Sequence, residues 1–281
     1  MKRFFVGLIS IFRSCFYPYD AECEGFQVGH PIATPTQIRR ASELHANRDA
    51  NLLPAHKGLR MKVVILSGGF GTRISEYTTV IPKPMIPING KPIIEHIMEI
   101  YSKYGFKDFY LALGYKANVI KEYFYNYEIL NSNFKVDFKN RSVTPYKKQE
   151  KDWTVNLIDT GENTMTGGRL KRLKDYIKDD TFLLTYGDAV TNLDINEVIK
   201  FHYSHGKMIT VTGVRPPARF GELTINENNE VLEFKEKPNI NEGWINGGFF
   251  VIEPRFLDYI NGDNCILEKE PLERAAKSKE L

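Results

Sequence analysis

From Met61 onward, short apolar runs recur with polar spacers between them. Lys62–Ser67, Asp108–Leu113, Phe182–Tyr186, Met208–Val214 and Phe249–Ile252 are rich in β-branched, aromatic and leucine side chains. Runs this short and this apolar predict strands of a sheet covered on both faces. Between them, Pro92–Tyr104, Asn118–Tyr125, Gly168–Ile177 and Ile195–His205 predict helices. In the first of these, Ile93, Ile94, Ile97, Met98, Ile100 and Tyr101 form one apolar stripe. Strands and helices alternating in this way specify a three-layer α/β domain with a mostly parallel sheet. One stretch departs from the rhythm. Leu223–Ile225, polar Asn226–Asn229 and Val231–Phe234 predict an inserted β-hairpin. In a sheet of this kind the chemistry is expected at the carboxyl ends of the parallel strands.

Residues 1–60 lack this rhythm. Lys2 and Arg3 precede the apolar run Phe4–Phe12, which Arg13 ends with no small-x-small cleavage site. The segment reads as a poorly ordered extension, or as upstream sequence from a start earlier than Met61. A targeting or membrane-surface segment is the alternative reading. No run approaches 18 uninterrupted apolar residues, so no transmembrane helix is expected. The net charge of +3 lies wholly in this segment, which holds eight Lys/Arg and five Asp/Glu. Residues 61–281 are balanced. Such a body has no broad attraction for nucleic-acid polymer or anionic membrane, although a few local cations could hold a phosphorylated small molecule. Cys15, Cys23 and Cys265 show no metal-ligand spacing and imply a reduced, cytoplasmic protein without structural zinc. His96, His202 and His205 sit on helical segments, also without metal spacing, and are assigned to structure.

Candidate chemistry begins where the first strand runs into Gly68-Gly69-Phe70-Gly71-Thr72-Arg73. Successive N–H groups in such a turn make an anion-binding concavity, and Arg73 adds a positive fork suited to phosphate. A dinucleotide fingerprint is excluded by the missing third glycine, and no G-x-x-x-x-G-K-[ST] loop is present. A Gly-rich turn alone is equally an ordinary tight turn. Ile81-Pro82-Lys83-Pro84-Met85 changes the balance, because prolines on both sides restrict where the Lys83 ammonium can point. Asp188 follows Gly187 at the end of an apolar strand, where a carboxylate suits Mg²⁺ bound with substrate phosphates; a helix cap or turn is the bland reading.

These segments, with Gly90-Lys91-Pro92-Ile93, resemble the sugar-phosphate nucleotidyltransferase family. Asp159-Thr160-Gly161, Met165–Arg172, Tyr186-Gly187-Asp188, Pro216–Gly221, Glu236-Lys237-Pro238 and Ile245–Phe250 resemble its CTP-using branch. The resemblance covers nearly all of residues 61–281. It implies a Rossmann-like nucleotidyltransferase fold and the joining of CTP to glucose 1-phosphate with release of diphosphate. UTP or dTTP use, and a non-catalytic binding protein, are the alternatives. By the same resemblance, Leu66, Gly68, Gly69, Gly71, Thr72, Arg73, Lys83 and Arg169 form the nucleotide site. Gly221, Glu236, Lys237, Asn246 and Gly247 hold the sugar phosphate, and Asp188 holds Mg²⁺. Arg73, Lys83, Asp188 and Lys237 are the expected catalytic set. A homo-oligomer and a role in surface-polysaccharide (O-antigen, lipopolysaccharide) synthesis are further implications. Two departures stand out. Ile81 replaces a lysine common in the branch. The family also continues beyond Glu270-Pro271-Leu272 to a second metal-binding aspartate, so the domain is expected to be C-terminally truncated.

Overall fold

The computed structural model describes residues 61–71, 80–146, 151–178, 180–215, 222–235 and 243–281. The extension read from the sequence at 1–60 lies outside them. In chain order the elements are β1 (Lys62–Leu66), β2 (Pro87–Ile88), β3 (Lys91–Pro92), α1 (Ile93–Ser102), β4 (Asp108–Leu113), α2 (Ala117–Tyr125) and α3 (Tyr127–Leu130). There follow β5 (Phe134–Asp137), β6 (Ser142–Pro145), β7 (Thr154–Asp159), α4 (Thr166–Arg172), α5 (Lys174–Ile177), β8 (Phe182–Tyr186) and α6 (Ile195–His205). The remainder are β9 (Ile209–Val214), β10 (Glu222–Ile225), β11 (Val231–Lys235), β12 (Ile245–Ile252) and α7 (Glu270–Lys277).

Six strands form one sheet in the order β7-β4-β1-β8-β12-β9. β7, β4, β1 and β8 are mutually parallel, and β12 runs antiparallel to both β8 and β9. Successive residues of β1 face opposite cores. Val63 and Ile65 join Ile94, Ile97, Met98 and Tyr101 of α1, Ile120 of α2 and Ile195 and Ile199 of α6. Val64 and Leu66 join Leu170 of α4, Leu173, Ile177 of α5, Phe256, Leu257 and Ala275 of α7. Both faces are therefore covered, which explains why these strands read as continuous apolar runs rather than as alternation. The fold is the expected three-layer α/β arrangement, and the β10–β11 hairpin is inserted between β9 and β12.

The differences from expectation have physical causes. β7 alternates polar and apolar residues at the sheet edge, so it carries no buried run. β12 begins four residues before the apolar stretch because Asn246, Gly247 and Gly248 are in the strand. The helix expected over Gly168–Ile177 is two pieces that meet at Leu173. α6 has the bounds read from the sequence. Asp194 caps it by accepting from the Asn196 and Glu197 N–H groups, and Gly206 ends it at φ +64°, where a side chain would be strained.

At the end of the sheet away from the glycine turn, a polar relay fastens α6 to β9 and β12. The Lys207 N–H donates to His205 Nδ1 at 3.0 Å, so His205 carries its proton on Nε2. Nε2 donates to Thr210 Oγ1 at 2.8 Å. The threonine hydroxyl then donates to His202 Nδ1 at 2.8 Å, and His202 Nε2 donates to Glu253 Oε1 at 3.1 Å. His96 is likewise structural, with Nε2 3.0 Å from the Ile88 carbonyl. Burial lowers the His205 pKa, and His202 and Lys207 lower it further. The protonated ring is thus disfavoured by folding. Its contribution to stability is full above the unfolded value of about 6.5 and is lost as pH falls through the depressed folded value. Urea unfolding of wild type and His205→Gln at pH 7.5 and 5.5 should show a steeper loss of stability in the wild type. Equal losses would remove His205 from this role.

Candidate active site

The carboxyl ends of β1, β4 and β8 converge. The Gly187 N–H donates to the Leu66 carbonyl at 3.0 Å, and the Ser67 N–H donates to the Ala112 carbonyl at 3.0 Å. Beneath the first turn lies Arg169, only 3% exposed. Its Nη2 donates to the Gly68 and Glu162 carbonyls, each at 2.9 Å. Its Nη1 donates to the Leu113 carbonyl at 3.0 Å, Thr160 Oγ1 at 2.9 Å and the Gly161 carbonyl at 2.6 Å. Burial lowers its pKa; Asp159 opposes that shift and Arg172 adds to it. The surrounding oxygens compensate the buried charge. One side chain thus ties the end of β4 to the segments following β1 and β7.

This explains two glycines. A Cβ on Gly68 would lie 2.3 Å from Arg169 Cζ, and one on Gly114 would lie 2.2 Å from Nη1. The guanidinium is held between the two backbones. A Cβ on Gly69 meets nothing within 4 Å, so its face opens to solvent. Gly71 has φ +65° and turns the chain away. The resemblance places Arg169 at the nucleotide; in the structure its Nη1 and Nη2 groups meet protein oxygens. Its neighbours are also engaged. Arg172 makes a two-pronged pair with Asp263, at 2.8 and 2.6 Å, and Lys171 donates to the Ile260 carbonyl.

Lys83 begins a short 3-10 turn between Pro82 and Pro84. Its ammonium pairs with the Asp188 carboxylate, and the two side chains are 25% and 32% exposed. Gly187 lets this happen. A Cβ there would lie 2.9 Å from Pro84 Cγ and 3.0 Å from the Leu66 carbonyl oxygen. Lys83 and Asp188, 105 residues apart, are therefore brought together at the carboxyl edge. Asn246 is exposed beside Tyr186, donating from Nδ2 to the phenol oxygen at 3.2 Å. Gly247 packs against the Thr212 carbonyl. Thr72, Arg73, Gly221, Glu236 and Lys237 lie outside the described residues.

Three contributors were not read from the sequence. Gly114 and Thr160 complete the Arg169 cradle, and Glu268 accepts from the Tyr186 hydroxyl at 2.5 Å. Thr160 stands in a segment that carried the resemblance, but Glu268 sits among ordinary charged residues and gives no signal of its own.

The chain matches the family described as "Nucleotidyl transferase" over residues 62–276. It is 50% identical over 222 residues to the glucose-1-phosphate cytidylyltransferase of Salmonella typhi, covering 79% of this chain and 86% of that one. A probable glucose-1-phosphate cytidylyltransferase of Bacillus subtilis is 46% identical over the same shares. Among solved structures, HddC from Yersinia pseudotuberculosis complexed with GMP-PN superposes with a TM-score of 0.54 at 28% identity, covering 76% of this chain and 86% of that one.

The two glycines make separable predictions. Gly68→Ala should displace the Arg169 guanidinium and lower unfolding stability by about 2–4 kcal/mol. Gly69→Ala, facing open space, should stay within about 0.5 kcal/mol of wild type. Denaturant titration of both proteins checks this, and a stable Gly68→Ala would contradict the cradle.

Proposed function

Because the chain belongs to the nucleotidyl transferase family, we propose that it is a glucose-1-phosphate cytidylyltransferase, forming CDP-glucose and diphosphate from CTP and glucose 1-phosphate. The observation that carries this reading is the 50% identity, over most of both chains, to a relative of that activity. The juxtaposed Lys83 and Asp188 supply chemistry that fits it.

The attacking group is a phosphate oxygen of the sugar phosphate. Its second pKa is about 6, so it is largely dianionic at pH 7 and needs no general base. It attacks the α-phosphorus in line with the departing diphosphate. The obstacle is the approach of two polyanions, and positioning with charge neutralisation lowers it. Lys83 and the N–H groups of Gly68, Gly69 and Gly71 hold the triphosphate, with Thr72 and Arg73 beside them in sequence. Leu66 closes the floor of this site. Arg169 acts on it by holding the loop. Lys237 orients the sugar phosphate, and Glu236, Gly221, Asn246 and Gly247 bind the sugar. Asp188 offers the hard oxygen donors that Mg²⁺ prefers, in the one-carboxylate-plus-phosphate manner usual for that ion. Among the described residues no group of three or more His, Cys, Asp or Glu competes for it. Asp188 would hold Mg²⁺, and the ion would supply charge neutralisation at the phosphates. The reading extends to a cytoplasmic homo-oligomer serving surface-polysaccharide synthesis. Among the described residues no helix is long and apolar enough to cross a membrane.

Diphosphate release should be measured with glucose 1-phosphate and CTP, UTP or dTTP in parallel. Activity confined to CTP is expected; preference for UTP or dTTP would overturn the base assignment, and binding without turnover would favour a non-catalytic protein. Asp188→Ala should abolish turnover, and near-normal rates would refute the metal assignment. Lys237→Ala should raise KM for glucose 1-phosphate about 10- to 100-fold, as expected for a lost charge-assisted hydrogen bond, while KM for CTP changes little. An unchanged KM for glucose 1-phosphate would remove Lys237 from the site.

A further inference from the structure

Asn246 stands at the head of a polar chain whose every direction is determined. Glu268, as a carboxylate, can only accept. Its Oε1 therefore takes the Tyr186 hydroxyl proton at 2.5 Å, and its Oε2 takes that of Thr166 at 2.7 Å. Thr166 Oγ1 in turn accepts the Leu267 N–H at 2.9 Å. With its proton given to Glu268, the phenol oxygen has only lone pairs to offer Asn246, and it accepts from Nδ2 at 3.2 Å. The Asn246 carbonyl oxygen, at the other side of the amide, accepts the Gly248 N–H at 2.8 Å. The amide cannot flip without losing both bonds. Its second Nδ2 hydrogen has no partner among the described residues, and the side chain is exposed.

The backbone is shaped for this contact. Gly248 has φ +81°, and a Cβ there would lie 2.6 Å from the Tyr186 ring. Tyr186 packs where only glycine allows it.

We propose that Tyr186 and Glu268 are positioning residues for sugar-phosphate recognition, fixing the Asn246 amide so that its remaining N–H is presented to a substrate oxygen. This rests on the cytidylyltransferase reading, in which Asn246 belongs to the sugar-phosphate side. Neither Tyr186 nor Glu268 needs to touch substrate. Their effect passes through Asn246, and that separates the proposal from a general structural role.

The test is a double-mutant cycle on Tyr186→Phe and Asn246→Ala, with KM for each substrate measured separately. Tyr186→Phe should raise KM for glucose 1-phosphate about tenfold, the usual consequence of one mis-set hydrogen bond. KM for CTP and kcat should stay within about twofold. The double variant should match Asn246→Ala alone, because the phenol has no effect without the amide. Glu268→Ala should behave like Tyr186→Phe, and Glu268→Gln should recover most of the loss, since its amide oxygen still accepts the phenol proton. Additive losses, or an unchanged KM in a folded Tyr186→Phe, overturn the proposal. Where the wild type binds both substrates without turnover, calorimetric Kd values replace KM with the same expected pattern. A wild-type chain that neither turns over nor binds glucose 1-phosphate defeats the functional reading and this proposal together. Wild-type activity with a normal Tyr186→Phe defeats this proposal alone.

Discussion

The carboxyl edge of the sheet depends on one buried cation. Arg169 reaches from α4 to the end of β4 and the segments following β1 and β7, and oxygens from all three meet its Nη1 and Nη2 groups. A charge this deep is tolerable only because so many oxygens surround it, and each oxygen left behind on its removal would be a buried group without a partner. The guanidinium is also a spacer. Gly68 and Gly114 approach it so closely that a Cβ on either would displace it. The loop proposed to hold the triphosphate therefore takes its shape from an interaction on its hidden side.

On the open side the electrostatics differ. Lys83 and Asp188 are each partly exposed, and a pair of that kind contributes little, about 0–1 kcal/mol. Weakness suits the proposed chemistry. Incoming phosphates compete for the lysine, and a hard divalent cation competes for the carboxylate, at small cost. The contrast with Arg169 is one of function. The cation that shapes the loop is buried among five protein oxygens, while the cation proposed to meet substrate is partly exposed and paired with an exchangeable carboxylate.

Much of this was legible in the sequence, and the limits are physical. Strands covered on both faces, such as β1 and β8, announce themselves by uninterrupted apolar runs. The hairpin of β10 and β11 was visible in its polar Asn226–Asn229 turn, and α6 was read with its observed bounds, Ile195–His205. β7 was not, because an edge strand buries little and shows weak alternation. Lys83 and Asp188 were both singled out from local features, prolines in one case and a strand end in the other. Their pairing was invisible, since nothing local relates residues 105 positions apart. The glycine turn was recognised, but its glycines were given one reason where the structure gives two. Gly68 is glycine because a buried arginine lies against it, whereas Gly69 faces open space. The resemblance places Arg169 at the nucleotide; that it lies buried against the backbones of Gly68 and Gly114 comes only from the fold.

The short helix α4 joins these themes. Thr166, its first residue, holds Glu268 and through it Tyr186 and Asn246. Arg169, three residues on, holds the glycine turn. Gly167 and Gly168 fix where the helix stands, because side chains there would strike the backbone at Cys265 and Asp263. The proposed nucleotide loop and the proposed sugar-phosphate amide therefore hang from one rigid element, less than a turn apart. A reaction in which two anions must meet in line needs its two binding halves in fixed relation. A single helix that braces both, its N–H groups at Gly167 and Gly168 satisfied by the Cys265 carbonyl, meets that requirement.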